Sequence, residues 1–123
     1  MQIARAPRPA ILIVEDDPII RWAGAETLED AGFEVLEAAS ADEALTLLEA
    51  HGAVSVLFTD VDMPGEIDGL DLARITATRW PFIHIIVASG QTHRRCIPRH
   101  GIFIPKPYMP EQIVRDIDEL LAA

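Results

Sequence analysis

The sequence predicts an α/β fold in which one parallel sheet is covered by helices on both faces. Three observations predict it: four short apolar runs recur along the chain, amphipathic segments of helical length separate them, and a fifth segment alternates as a strand at a sheet edge does.

The first apolar run, Ala10 to Val14, reads as a buried strand, and the helical pattern from Pro18 to Ala31 follows it. Pro18 suits the first helical turn, and Gly32 can close the helix with a positive φ. Phe33 to Ala38 sets Phe33, Val35 and the less regular Leu36 against Glu34 and Glu37, which gives the edge strand. Ser40 can cap the next helix, Ala41 to Ala50. Val54 to Phe58 is the third strand, Asp68 to Arg79 the third helical pattern, and Phe82 to Ala88 the fourth strand. Ile102 to Ile104 is the fifth strand, and Pro110 opens the last helix, which runs to Leu121. Between strands four and five, Gln91 to Cys96 has room for a turn or so of helix, because Pro98 and Gly101 break anything longer. The fourth helix is therefore expected to be short or absent.

A chain of 123 residues fits one domain, and we expect a flexible segment over 1–9 followed by a single domain over 10–123. No apolar run approaches the roughly 20 residues that cross a bilayer. The run after Arg5 and Arg8 is too short for a secretory signal and ends in three acids. With Cys96 as the one cysteine, no internal disulfide can form, which agrees with a cytoplasmic location. Lys and Arg number 10 against 20 Asp and Glu, and the formal charge of −10 repels nucleic acid and anionic membranes. Direct contact with either is not expected.

In a parallel sheet of this kind, ligands sit beyond the carboxyl ends of the strands. Strand one stops at Glu15-Asp16-Asp17, strand three at Thr59-Asp60, strand four at Ser89-Gly90 and strand five at Pro105-Lys106-Pro107. Several carboxylates gathered in one crevice repel one another unless a cation joins them, and hard oxygen ligands point to Mg²⁺, with Mn²⁺ as a substitute. Lys106 is the only lysine of the chain and stands between two prolines. Its compact ammonium suits pairing first with a carboxylate and then with a phosphoryl oxygen.

From Ile11 to Leu121 these residues resemble the receiver domains of two-component response regulators, the chemotaxis-regulator-like superfamily. Ile11-Leu12-Ile13-Val14-Glu15-Asp16-Asp17-Pro18 is similar to that family's first strand and acidic pair, and Leu57-Phe58-Thr59-Asp60-Val61-Asp62-Met63-Pro64-Gly65 with Asp68-Gly69 to its acceptor strand and loop. The resemblance implies a doubly wound, flavodoxin-like sheet of order 2-1-3-4-5. It makes Asp60 the phosphoacceptor, fed by a histidine kinase or a histidine phosphotransfer protein. It also implies metal ligation by Asp16, Asp60 and the backbone carbonyl of Asp62, with Glu15 acting through water. Ser89 takes the place of the switch hydroxyl, Lys106 of the family's lysine, and Phe103 of the switch aromatic. The expected protein is a stand-alone signalling phosphoacceptor rather than a turnover enzyme, a monomer or weak dimer that signals to an unidentified downstream protein.

The chain departs from that pattern in the short stretch between Ser89 and Lys106 and in a loop after Asp60 that is one residue longer than usual. Output is expected through Gly90 to Gly101, with its Arg94, Arg95 and Arg99, together with strand five and the last helix. Two rival readings use the same architecture. Asp60-Val61-Asp62 also resembles the nucleophile and acid pair of a Mg²⁺-dependent aspartyl phosphatase of the haloacid dehalogenase type, but the acidic pair here precedes the nucleophile. A flavin or nucleotide carrier would need a glycine-rich phosphate loop after strand one, where acids stand instead. The spacing of His93, Cys96 and His100 suggests zinc only weakly, because arginines surround these residues.

Overall fold

The computed structural model describes residues 8–90 and 97–122. Residues 1–7 of the expected flexible segment lie outside the described residues. So does Gln91–Cys96, where the short fourth helix was expected, and with it His93, Arg94, Arg95 and Cys96.

The elements are β1 (Ala10–Val14), α1 (Pro18–Asp30), β2 (Glu34–Ala38), α2 (Ala41–Ala50), β3 (Val54–Asp60), α3 (Gly69–Arg79), β4 (His84–Ser89), β5 (Ile102–Pro105) and α4 (Pro110–Ala122). The five strands form one sheet in the order β2-β1-β3-β4-β5, and every pairing is parallel. This is the doubly wound sheet expected from the sequence.

The period-2 alternation of the strands divides the core in two. Ile11, Ile13, Val56, Phe58 and Ile86 face one way and pack with Leu28 of α1 and Ile113 and Ile117 of α4. Leu12, Val14 and Leu57 face the other way, against Ala44 and Leu48 of α2 and Leu72 of α3. Because β1 and the middle of β3 are covered on both faces, β1 is apolar without a break, as is β3 from Val56 to Phe58. The edge strand β2, with Glu34 and Glu37 exposed, is not.

The punctuation residues act locally as their chemistry requires. Asp17 accepts from the N–H groups of Ile19 and Ile20 at 2.9 and 3.2 Å and so caps α1, while Ser40 accepts from Glu43 N–H at 3.1 Å and caps α2. At the far end of α1, Gly32 has a φ of 98°, its N–H donates to Glu29 O, and Phe33 N–H donates to Leu28 O. That pair of bonds is a Schellman closure, and it turns the chain directly into β2.

Several strand boundaries differ from expectation, by one residue at the start of β2 and the ends of β4 and β5 and by two residues at the start of β4 and the end of β3. β4 begins at His84 rather than Phe82, because Ile83 N–H bonds Trp80 O at 3.0 Å, closing a turn around Pro81 that leaves Phe82 63% exposed. β3 continues past Phe58 to Asp60, which pairs with Ala88. Asp60 is thus the last residue of a central strand rather than part of a loop.

Candidate functional site

β1 and β3 are neighbours at the centre of the sheet, yet the chain leaves β1 for α1 on one face and β3 for α3 on the other. A crevice opens where the two exits diverge, at the carboxyl ends of the strands. Glu15, Asp16 and Asp60 meet there, each with a carboxylate oxygen within 4.8 Å of the others. Glu15 and Asp60 are buried and Asp16 is exposed.

Lys106 enters from the end of β5. Its Nζ lies 2.8 Å from Asp60 Oδ1 and 3.6 Å from Glu15 Oε1. The 2.8 Å approach is a charge contact rather than an aligned hydrogen bond, and the buried Oδ1 has no well-directed donor. Burial opposes the lysine's charge, but Asp60 and Glu15 outweigh it and raise its pKa above the ordinary value. The Lys106–Pro107 peptide is cis.

Glu15 pays most for this crowding. Burial, a hydrogen bond that the protonated carboxyl donates to Asp16 and the charge of Asp60 lift it to about 7, against the opposing effects of Asp17 N–H and Lys106. Its place is fixed by the backbone: Glu15 N–H donates to Ala38 O at 3.1 Å, and Glu15 O accepts from Arg21 Nη1 at 2.8 Å. Arg21 also pairs with Glu37 at 3.3 Å and so ties the end of β1 to β2 through α1.

Ser89 closes the crevice on the β4 side. It is 1% exposed, and its hydroxyl donates to Asp62 Oδ2 at 3.4 Å. Its carbonyl accepts from Lys106 N–H at 2.9 Å, which brings the serine and the lysine together across two strands. Phe103 is half-buried on β5, opposite Val87. Asp62 itself is exposed, in the loop just past Asp60.

That loop is pinned at both ends. Val61 N–H bonds Ala88 O at 3.0 Å, and Gly69 N–H bonds Val61 O at 3.0 Å. Asp68 caps α3 in a reciprocal box with Asp71. Gly69 is required by space, since a Cβ there would collide with the carbonyl of Asp60 and the Cα of Val61.

All six residues expected at strand ends or beside them, Glu15, Asp16, Asp60, Asp62, Ser89 and Lys106, thus lie around one crevice, and Phe103 stands on the adjoining edge strand. Sequence reasoning missed three features. The Asp62 carboxylate contacts Ser89, where only its carbonyl was expected to matter. Arg21 braces Glu15, and its place one helical turn after the acids was the available signal. Beside Lys106 runs an apolar groove of about 480 Å³, lined by Ile19, Ile20, Ala23, Pro107 and Tyr108. Tyr108 packs edge-on against Phe58 at 5.4 Å, and burial, with the charges of Glu15 and Asp60, pushes its hydroxyl up to about 12.

The donor set fits a hard cation: it consists only of oxygens, and one of them, Asp60 Oδ1, is buried without an aligned donor. Fold and site together define a doubly wound α/β protein with an acid-and-lysine pocket at its switch point. Residues 11–118 match the family model of the response regulator receiver domain, and the chain belongs to that family, a receiver domain of two-component systems. The sequence is similar to the sensor kinase CckA of Brucella abortus, 36% identical over 117 residues, 90% of this chain and 12% of that protein. It is also similar to the C4-dicarboxylate transport transcriptional regulatory protein DctD of Rhizobium meliloti, 36% identical over 115 residues, 87% of this chain and 24% of that protein. The chain therefore spans less than a quarter of the length of these curated relatives. Among solved structures, a response regulator receiver protein from Sinorhizobium medicae superposes with a TM-score of 0.87 at 27% identity, covering 94% of this chain and 96% of that one. The receiver family displaces the phosphatase and flavodoxin readings. Among the described residues, no helix is long and apolar enough to cross a membrane.

Proposed function

We propose that Asp60 is the phosphoacceptor of this receiver, taking a phosphoryl group from the phosphohistidine of a histidine kinase or a histidine phosphotransfer protein. The observation that carries the reading is the Lys106 ammonium 2.8 Å from the buried carboxylate of Asp60, with Glu15 and Asp16 converging on the same point.

A carboxylate oxygen of Asp60 attacks phosphorus in line, the P–N bond to the donor imidazole breaks, and an acyl phosphate forms. Lys106 holds the carboxylate beforehand and a phosphoryl oxygen afterwards. Ser89 then donates to a phosphoryl oxygen, which draws the end of β4 inward, and Phe103 turns into the space released. Asp16 and Asp60 by carboxylate, Asp62 by its carbonyl and Glu15 through water would hold Mg²⁺, or Mn²⁺ in its place. The ion, when bound, offsets charge on the phosphoryl oxygens. The protein donor has an apolar landing surface beside the site, where Ile19 and Ile20 line the groove and are 76% and 44% exposed.

In this reading residues 10–123 are one receiver unit. It works in the cytoplasm as a monomer or weak dimer, and it is a phosphoacceptor rather than a turnover enzyme. With Mg²⁺ and acetyl phosphate, the wild type should gain one phosphoryl group by mass spectrometry and Asp60→Asn none. Equal labelling of the two proteins overturns the assignment.

A further inference from the structure

The metal reading uses Asp62 only through its backbone, but its side chain has a partner of its own. The carboxylate is exposed, and its Oδ2 accepts the hydroxyl of the buried Ser89 at 3.4 Å. Both sides of this contact rest on fixed backbone. Ser89 ends β4 in register with Pro105 and is tied to Lys106 N–H, while Val61, next to Asp62, is bonded to Ala88 O. The hydroxyl and the carboxylate are thus held face to face at the mouth of the pocket that contains Asp60.

We propose that the Asp62 carboxylate is the resting acceptor of the Ser89 hydroxyl and competes for it with the phosphoryl group on Asp60, so that Asp62 sets the threshold for switching. The inference rests on the phosphoacceptor reading of Asp60. A serine hydroxyl has one proton to donate, so it cannot satisfy both acceptors. The ionised acceptor strengthens the resting contact, and the 3.4 Å separation weakens it. A phosphoryl group carrying about −1.5 to −2 charge, with three acceptor oxygens, can therefore displace it, though at a cost that a residue without an acceptor would not impose. A carboxylate left at the pocket mouth also repels the phosphoryl oxygens. That repulsion has the same sign but does not pass through Ser89, and this separates the two effects experimentally.

The test is a double-mutant cycle on the full chain, with beryllofluoride in saturating Mg²⁺ as the probe and affinity read by titration calorimetry. Asp62→Ala should tighten binding about tenfold. In a Ser89→Ala background the same substitution should change affinity no more than about twofold, the residue left by charge repulsion alone. Asp62→Asn, which keeps an acceptor without the charge, should fall between wild type and Asp62→Ala. Equal tightening with and without Ser89 overturns the competition and leaves Asp60 as acceptor untouched, and so does unchanged or weaker binding by Asp62→Ala. A wild type that binds no beryllofluoride overturns the phosphoacceptor reading and this inference with it.

Discussion

Two neighbouring regions at the carboxyl end of the sheet invert the usual partition of residues. In the crevice, Glu15 and Asp60 are carboxylic side chains with exposures of 4% and 6%, while along the adjacent groove Ile19 and Ile20 are apolar side chains with exposures of 76% and 44%. Carboxylates are seldom fully buried unless paired, and clustered exposed hydrocarbon marks a contact surface. Each region therefore carries a cost that folding alone does not explain. The proposed function accounts for both, with a cation for the crevice and a protein donor for the groove.

The difference predicts that the crevice responds to pH and metal, and the groove to the choice of phosphodonor. The largest effect should come from Glu15. Its carboxyl is lifted from 4.5 to about 7 in the metal-free fold. The folded state therefore binds the proton more tightly than the unfolded state, and the resulting stability is complete below the unfolded value and lost as pH rises through about 7. Urea midpoints in EDTA should fall between pH 5 and pH 8 for the wild type and much less for Glu15→Gln, and Mg²⁺ should restore the wild type at pH 8. A wild type as stable at pH 8 as at pH 5 would break the comparison on the crevice side.

Lys106→Met should cost about 2 kcal/mol in EDTA, less than for a fully buried pair because the ammonium is partly exposed. Added Mg²⁺ should return part of that loss in urea unfolding. On α1, whose Ile19 and Ile20 line the groove, Trp22→Ala should slow transfer from a phosphorylated histidine donor about tenfold and affect acetyl phosphate labelling far less. Equal slowing with both donors would show that the indole serves the pocket rather than the partner. The smallest effect belongs to the third acid of the run. Asp17→Ala should cost about 1 kcal/mol through the lost cap of α1. Fluorescence titration with Mg²⁺ should show Asp16→Asn losing more affinity than Asp17→Asn.

Most of this arrangement could be read from the chain because its signals are local. The apolar runs of β1 and β3, the alternation before Ala38, and Pro18, Gly32 and Ser40 at helix ends each act within a few residues. The meeting of Glu15, Asp16, Asp60, Ser89 and Lys106 followed from strand ends alone, since a parallel sheet brings those ends together. What could not be read depends on tertiary contact. Phe82 looked like a strand residue because it is apolar, but the turn at Trp80–Ile83 places it outside the sheet. Ile19, Ile20 and Trp22 belong to a helix with an ordinary core face at Ala25 and Leu28, so no periodicity marks their exposure as a surface. The Asp62–Ser89 contact joins two segments far apart in sequence through a loop whose path no motif specifies.

The glycine at the start of α3 has a consequence for how this pocket tolerates change. Position 69 admits no side chain, because the carbonyl of Asp60 occupies the space, and its N–H is bonded to Val61. The loop between Asp62 and Asp68 therefore hangs between two immovable piers, one in the sheet and one on the helix. Changes of length within the span reach Asp60 only through those piers. A single methyl group at position 69, by contrast, would push directly on the backbone of Asp60 and so displace its carboxylate.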